Sequence, residues 1–139
     1  MSTTTDAVDD LARATLLSSS DGRIELAVPG TDYRLSLIPA TANSAAIAAI
    51  GKRVRGRIEG RALRLHIAAA GGRFIEPLVG APRIVQGTVM AVDAAGRRLL
   101  LDVCVPIWIT LDGDRSTDAF TIGTLVNFYM ESGARFTPA

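Results

Sequence analysis

From Gly51 to Val105, polar and apolar residues alternate with a period of two, the pattern of strands with one face in a core. Val54, Gly56 and Ile58 fall on one side, and Arg53, Arg55, Arg57 and Glu59 on the other. Glu59-Gly60 reads as a tight turn, after which Leu63, Leu65 and Ile67 alternate with Ala62, Arg64 and His66. A second hairpin runs from Val85-Gln86-Gly87-Thr88-Val89 through a turn at Asp93 to Gly96 into Arg97-Arg98-Leu99-Leu100-Leu101. Both follow V-x-G-x-[I/V], a turn ending in Gly, then R-x-L-x-L.

The flanking segments add shorter elements. Ile24, Leu26 and Val28 alternate with polar neighbours, Pro29-Gly30-Thr31-Asp32 is a turn, and Tyr33 to Ile38 returns as the partner strand. Asp6 to Leu17 has apolar residues three to four apart and predicts a short helix capped by Asp6. Thr41 to Ile50, rich in Ala, predicts a second short helix, with Ser44 as its cap and Gly51 at its end. Pro77 and Pro82 confine their segment to an edge or loop. Pro106 predicts a bend in a strand that runs on through Ile107-Trp108-Ile109, Asp112 to Asp118 reads as a solvated loop, and Gly123 to Glu131 reads as the last strand. The organisation expected is a flexible or short helical segment over 1–20, one β-barrel domain over 21–131 and a loose tail over 132–139.

The fold expected is therefore all-β with one or two short helices. The helix-like segment leading into GKRVRGRI, the successive hairpins and the late strand with Gly123, Leu125, Val126 and Phe128 resemble an OB-fold, a small antiparallel Greek-key barrel, here with an extra N-terminal hairpin. The resemblance covers roughly residues 50 to 131 and lies in architecture; the helix usual between the third and fourth strands of such barrels is missing. A second resemblance is local. R-x-x-x-R occurs at Arg53/Arg57 and again at Arg57/Arg61, and is similar to the first motif of PilZ barrels, which bind a cyclic dinucleotide. Asp114-Arg115-Ser116-Thr117-Asp118-Ala119 partly matches that family's D-x-S-x-x-G, with Ala119 where the family has Gly.

Composition narrows the chemistry. The chain has 139 residues, enough for one domain with a real core, and a net charge of +1, so the molecule as a whole is no electrostatic magnet for polyanions. Its basic residues are nonetheless concentrated: Lys52, Arg53, Arg55, Arg57, Arg61 and Arg64 lie in thirteen residues against Glu59 alone, with His66 beyond. Such a face suits phosphate recognition, for which Arg is the better residue. Cys104 is the single cysteine, set between Val103 and Val105, and reads as a buried structural thiol that fits a reducing compartment. With one His, no phosphate loop and no nucleophile elbow, the sequence points to no enzyme, cofactor or metal. No leader or membrane-spanning run is evident, which makes the cytoplasm the expected location and a membrane partner unexpected. The expected function is a binding or assembly module acting through protein partners or self-association. Phe74, Pro77 and Trp108 are the candidate interaction patch. The alternative is nucleic-acid or nucleotide binding through Arg53, Arg55, Arg57, Arg61, Arg64 and His66.

Overall fold

The computed structural model describes residues 8–40 and 49–139. Among them there is no helix. The strands are β1 (Ala12–Ser20), β2 (Arg23–Ala27), β3 (Arg34–Pro39), β4 (Arg53–Ile67), β5 (Phe74–Glu76), β6 (Val79–Gly80), β7 (Ile84–Asp93), β8 (Arg98–Asp102), β9 (Pro106–Leu111), β10 (Leu125–Met130) and β11 (Arg135–Pro138). All belong to one sheet, so the protein is all-β.

The sheet is organised by its longest strand. β4 is 15 residues long, about 50 Å at the usual rise, and it takes two partners in succession along each edge. On one edge β1 pairs with Arg53 to Gly56, and β9 with Ile58 to Ala62. On the other, β11 pairs with Gly56 to Glu59, and β10 with the stretch from Ala62 to Ile67. The hydrogen-bonded path consequently closes on itself twice. One circuit is β4-β1-β2-β3-β11 and returns to β4; the other is β4-β10-β7-β8-β9 and returns to β4. The circuits share β4 and are strapped together by β5 and the segment after it. Tyr33 Oη accepts the Ile75 N–H, and the Arg34 N–H bonds the Leu78 carbonyl. The alternating inner residues of these strands, among them Leu16, Leu26, Leu37, Ile58, Leu101, Ile107, Phe128 and Phe136, form the buried core.

Four expectations are corrected. Ala12–Ser20, part of the predicted N-terminal helix, is strand: Ala12, Ala14 and Leu16 point in while Arg13 points out, a period of two that small alanines disguise as helical spacing. Glu59-Gly60 is no turn, because β4 runs straight through it. Gly60 instead leaves room for Met130, whose side chain would collide with any Cβ there. Pro106 does not bend a continuing strand; Val103 to Val105 form a tight turn between antiparallel β8 and β9. The tail is not loose, since Arg135–Pro138 is β11, parallel to β3 and antiparallel to β4, and it completes the first circuit. The helix predicted at Thr41 to Ile50 falls largely on residues outside the described ones. The opening β2–β3 hairpin and the β7–β8 hairpin are as expected.

Candidate functional site

Because β4 alternates regularly over its first half, burying Val54, Gly56 and Ile58 turns Arg53, Arg55 and Arg57 outward in a row. β1 extends the row sideways. Arg13 stands directly opposite Arg55, and Thr15 opposite Arg53. Like charges directly across a strand pair destabilise the sheet, and two of the four guanidiniums are compensated by the residues just before β1. Asp9 Oδ2 accepts from Arg13 Nη1 at 2.8 Å, and Asp10 Oδ2 accepts from Arg57 Nε at 2.8 Å. Arg53 and Arg55 have no ion-pair partner among the described residues. With Arg13 and Val54 they line an open recess of about 290 Å³. A second recess of about 350 Å³ also includes Arg13 and Arg53, and reaches Pro29 and the Cys104–Pro106 turn.

Asp10 holds a further contact, for Trp108 Nε1 donates to the same Oδ2 at 2.8 Å. Burial pushes the Asp10 carboxyl up, but the bonds from Arg57 and Trp108 outweigh it and hold the group below the usual carboxylate range. The same contact with Asp10 raises the Arg57 guanidinium. Asp9 is lowered by the Leu11 N–H and by Arg13.

The remaining basic residues are a separate group. Arg61 lies beyond Glu59 on the outer face and is bound to Asp112 at 3.0 Å, with Glu131 at 4.0 Å. Past it β4 carries a bulge: Leu63 pairs with Tyr129 and His66 with Asn127, three steps against two. Arg64 occupies the bulge at φ +56°, with its guanidinium 5.8 Å from the Tyr129 ring centroid. His66 Nδ1 donates to the Arg64 carbonyl at 3.0 Å. The bulge moves the inner register by one residue, so Leu65 is buried, Leu63 is half-buried and Ile67 is exposed, against the expected core triplet. Arg64 and His66 thus continue β4 rather than facing Arg53 to Arg57 across a hairpin. The cross-strand cation is Arg13, on β1 where the spacing predicts a helix. The outward alternation Arg13-x-Thr15 was the signal for it.

Other candidate residues are placed as follows. Phe74 is half-buried on β5, and Pro77 is exposed beside Leu78 and Val79. Trp108 is half-buried on β9 under the Arg98 guanidinium, 4.4 Å from its ring centroid. β8 stands between β9 and β7, to which β5 is paired, so Trp108 does not join the other two in one patch. Cys104 is exposed rather than buried, because the turn adopts φ +71° there and sends Val103 and Val105 inward instead. The Asp112–Asp118 loop is docked rather than merely solvated. Arg115 donates to the Leu65 carbonyl and lies 5.2 Å from the Phe120 ring centroid, and Thr117 is buried. Through Arg61–Asp112 this loop touches the second half of β4, while Arg53 and Arg55 lie at the other end. Among the described residues no three His, Cys, Asp or Glu side chains converge, and no helix is long and apolar enough to cross a membrane. No protein-family model matches the chain, and no curated protein matches it.

Proposed function

We propose that the protein is a non-enzymatic binding module that takes a phosphate-bearing ligand on the outer face of the first half of β4. The observation that carries this reading is Arg55 set opposite Arg13 and beside Arg53 without an acidic partner among the described residues. A sheet that places these like charges together is relieved when a multiply charged anion lies between them. The fold reading that accompanies it is a pair of OB-like Greek-key barrels sharing β4. What supports it is the neighbour order β4-β1-β2-β3 in one circuit and β10-β7-β8-β9 in the other, in each of which a strand returns to lie beside the first of three consecutive ones. A nucleic-acid strand and a free nucleotide offer the same phosphate chemistry, so the test separates them. Fluorescence anisotropy with a labelled single-stranded oligonucleotide, competed by inorganic tripolyphosphate, is run for the native chain and for Arg53→Ala/Arg55→Ala. Contact through three guanidiniums gives a log–log salt slope of about −2, and the double variant abolishes it. Equal binding by the variant refutes the reading, as does binding at low salt of neither the oligonucleotide, by anisotropy, nor tripolyphosphate, by calorimetry. If tripolyphosphate binds and the oligonucleotide does not, the ligand is a small phosphate compound.

A second reading, association through a protein partner, has one observation in its favour. Leu78, 51% exposed, lines with Pro77 an open cleft of about 590 Å³, and Val79 next to it is 53% exposed. Light scattering of the native chain and of Leu78→Asp tests self-association: an oligomer dissolved by the substitution supports it, and a monomer at high concentration refutes it.

A further inference from the structure

The segment just before β1 is held in an unusual way. Residues 8–11 make no backbone hydrogen bond to the sheet among the described residues, and regular pairing starts at Ala12. What fixes the segment is the side chains of two adjacent acids. Asp9 takes Arg13, and Asp10 takes Arg57 and Trp108 across 47 and 98 residues of chain. A single oxygen, Asp10 Oδ2, accepts from a guanidinium and an indole at 2.8 Å each. That donor pair is an oxyanion receptor, and an internal carboxylate occupies it.

We infer that Asp9 and Asp10 form an internal competitor that covers part of the phosphate-binding face. The full site comprises Arg13, Arg53, Arg55 and Arg57 with the Trp108 N–H, and ligand phosphate displaces the two carboxylates as it binds. This rests on the phosphate reading above and adds two things to it: Arg57 and Trp108 as ligand groups, and a regulated affinity. The exchange is balanced in kind, since an anionic oxygen leaves both Arg57 and Trp108 as another arrives. The segment itself is cheap to lift, because only side chains tether it.

Trp108 is the single tryptophan, so its emission reports directly on the carboxylate at its N–H. The experiment uses the full chain, with tripolyphosphate as probe, and compares native protein with Asp10→Asn and with Asp118→Asn, a charge control in an exposed loop. If the competitor holds the face closed nine-tenths of the time, Asp10→Asn binds the probe about tenfold more tightly, whereas Asp118→Asn binds as the native chain does. The Trp108 emission of the native protein also changes on titration and converges on that of liganded Asp10→Asn, since both then carry probe phosphate at the indole N–H. Binding by all three proteins with equal affinity and no change at Trp108 overturns the competitor while leaving the phosphate reading intact. Equal tightening by Asp10→Asn and Asp118→Asn also overturns it, for the effect is then general charge. No binding by any of the three overturns the phosphate reading and the competitor with it.

Discussion

Gly56 sits where β1, β4 and β11 meet, and replacing it with Ala probes whether the closing of the first circuit is as tight as its geometry implies. Its backbone is ordinary extended strand, so Ala suffers no conformational penalty there and would by chain entropy alone gain about 0.5–1 kcal/mol. Space decides otherwise. A Cβ on Gly56 would lie 2.7 Å from Phe136 Cζ, and the Thr137 carbonyl oxygen would be closer still. The ring belongs to a fully buried side chain and the oxygen to the backbone of β11, so neither can swing aside. Relief requires β11 to move off β4, which strains the Ala139 N–H to Arg55 carbonyl bond at 3.1 Å and the Ala40 N–H to Phe136 carbonyl bond at 2.9 Å. Overpacking of this kind costs about 1–3 kcal/mol. We expect a net loss of about 1 kcal/mol, or about 4 °C in Tm for a chain of this size. Urea unfolding measures it as a lower midpoint at unchanged slope. Gly72→Ala is the comparison, since a Cβ there meets nothing within 4 Å; it changes stability by less than about 0.5 kcal/mol. Adding Phe136→Leu to Gly56→Ala removes the ring clash but not the carbonyl clash, and recovers part of the loss that the two single substitutions predict together. If Gly56→Ala and Gly72→Ala cannot be told apart, β11 is not packed on β4 as described.

Other expectations follow from the same contacts. Asp10 has its folded pKa depressed, so the stability it contributes is present above the ordinary aspartate value and is lost as pH falls through the folded one. Asp10→Asn therefore costs about 1 kcal/mol at pH 6 and progressively less below pH 4, as read from urea midpoints across pH; a constant difference would refute this. Asp93, lowered by the Gly96 N–H and then by Arg98, acts in the same direction. Cys104 reacts fully with a thiol reagent in native buffer, and labelling that needs denaturant would contradict its exposed position. Because β4 is a wall of both circuits, neither can lose it and persist. Trp108 fluorescence, in the second circuit, and far-UV circular dichroism, from both, should trace one coincident transition, whereas separated midpoints would show two units.

The all-β class and the two true hairpins were legible because period-two alternation survives wherever a strand has one wet face. Legibility failed where a residue served two masters. Gly60 looked like a turn glycine, but its missing Cβ accommodates Met130, a contact from a strand 65 residues later. Arg64 looked like one more outward residue, yet its bulge shifts the register of everything after it, and no local signal marks a non-glycine residue with positive φ. Phe136 lies in a short polar-looking tail, and only the closed first circuit shows why an aromatic ring stands there. For the candidate site, the row Arg53, Arg55 and Arg57 was plain from alternation. Its completion by Arg13 was hidden, because Leu11, Ala12, Thr15 and Leu16 also stand at helical spacing. The split of Arg61 from that row could not be read either, since its partners Asp112 and Glu131 are remote in sequence.

The shared strand also explains why the charge collects where it does. The inner face of β4 is committed along its whole length: Val54, Gly56 and Ile58 serve the first circuit, and Ile58, Ala62 and Leu65 the second. Its outer face carries the arginines: Arg53 and Arg55 are paired with β1 and Arg57 with β11, and the Arg55 carbonyl also accepts the Ala139 N–H. Arginines on such a strand have their Cα positions fixed more firmly than on a loop, so less order remains to be imposed when a ligand binds. That rigidity is of no use to a merely solvated charge, which gains nothing from a fixed origin. Over the second half of β4, Arg61 is neutralised by Asp112 and Glu131, while Arg64 lies over the Tyr129 ring with no ion-pair partner among the described residues. Over the first half, the acids come from a segment outside the sheet and leave Arg53 and Arg55 uncompensated. What sets the first half apart is that the unpaired Arg55 stands opposite a second cation, Arg13, and that the acids reaching this row lie on a tether that can be lifted.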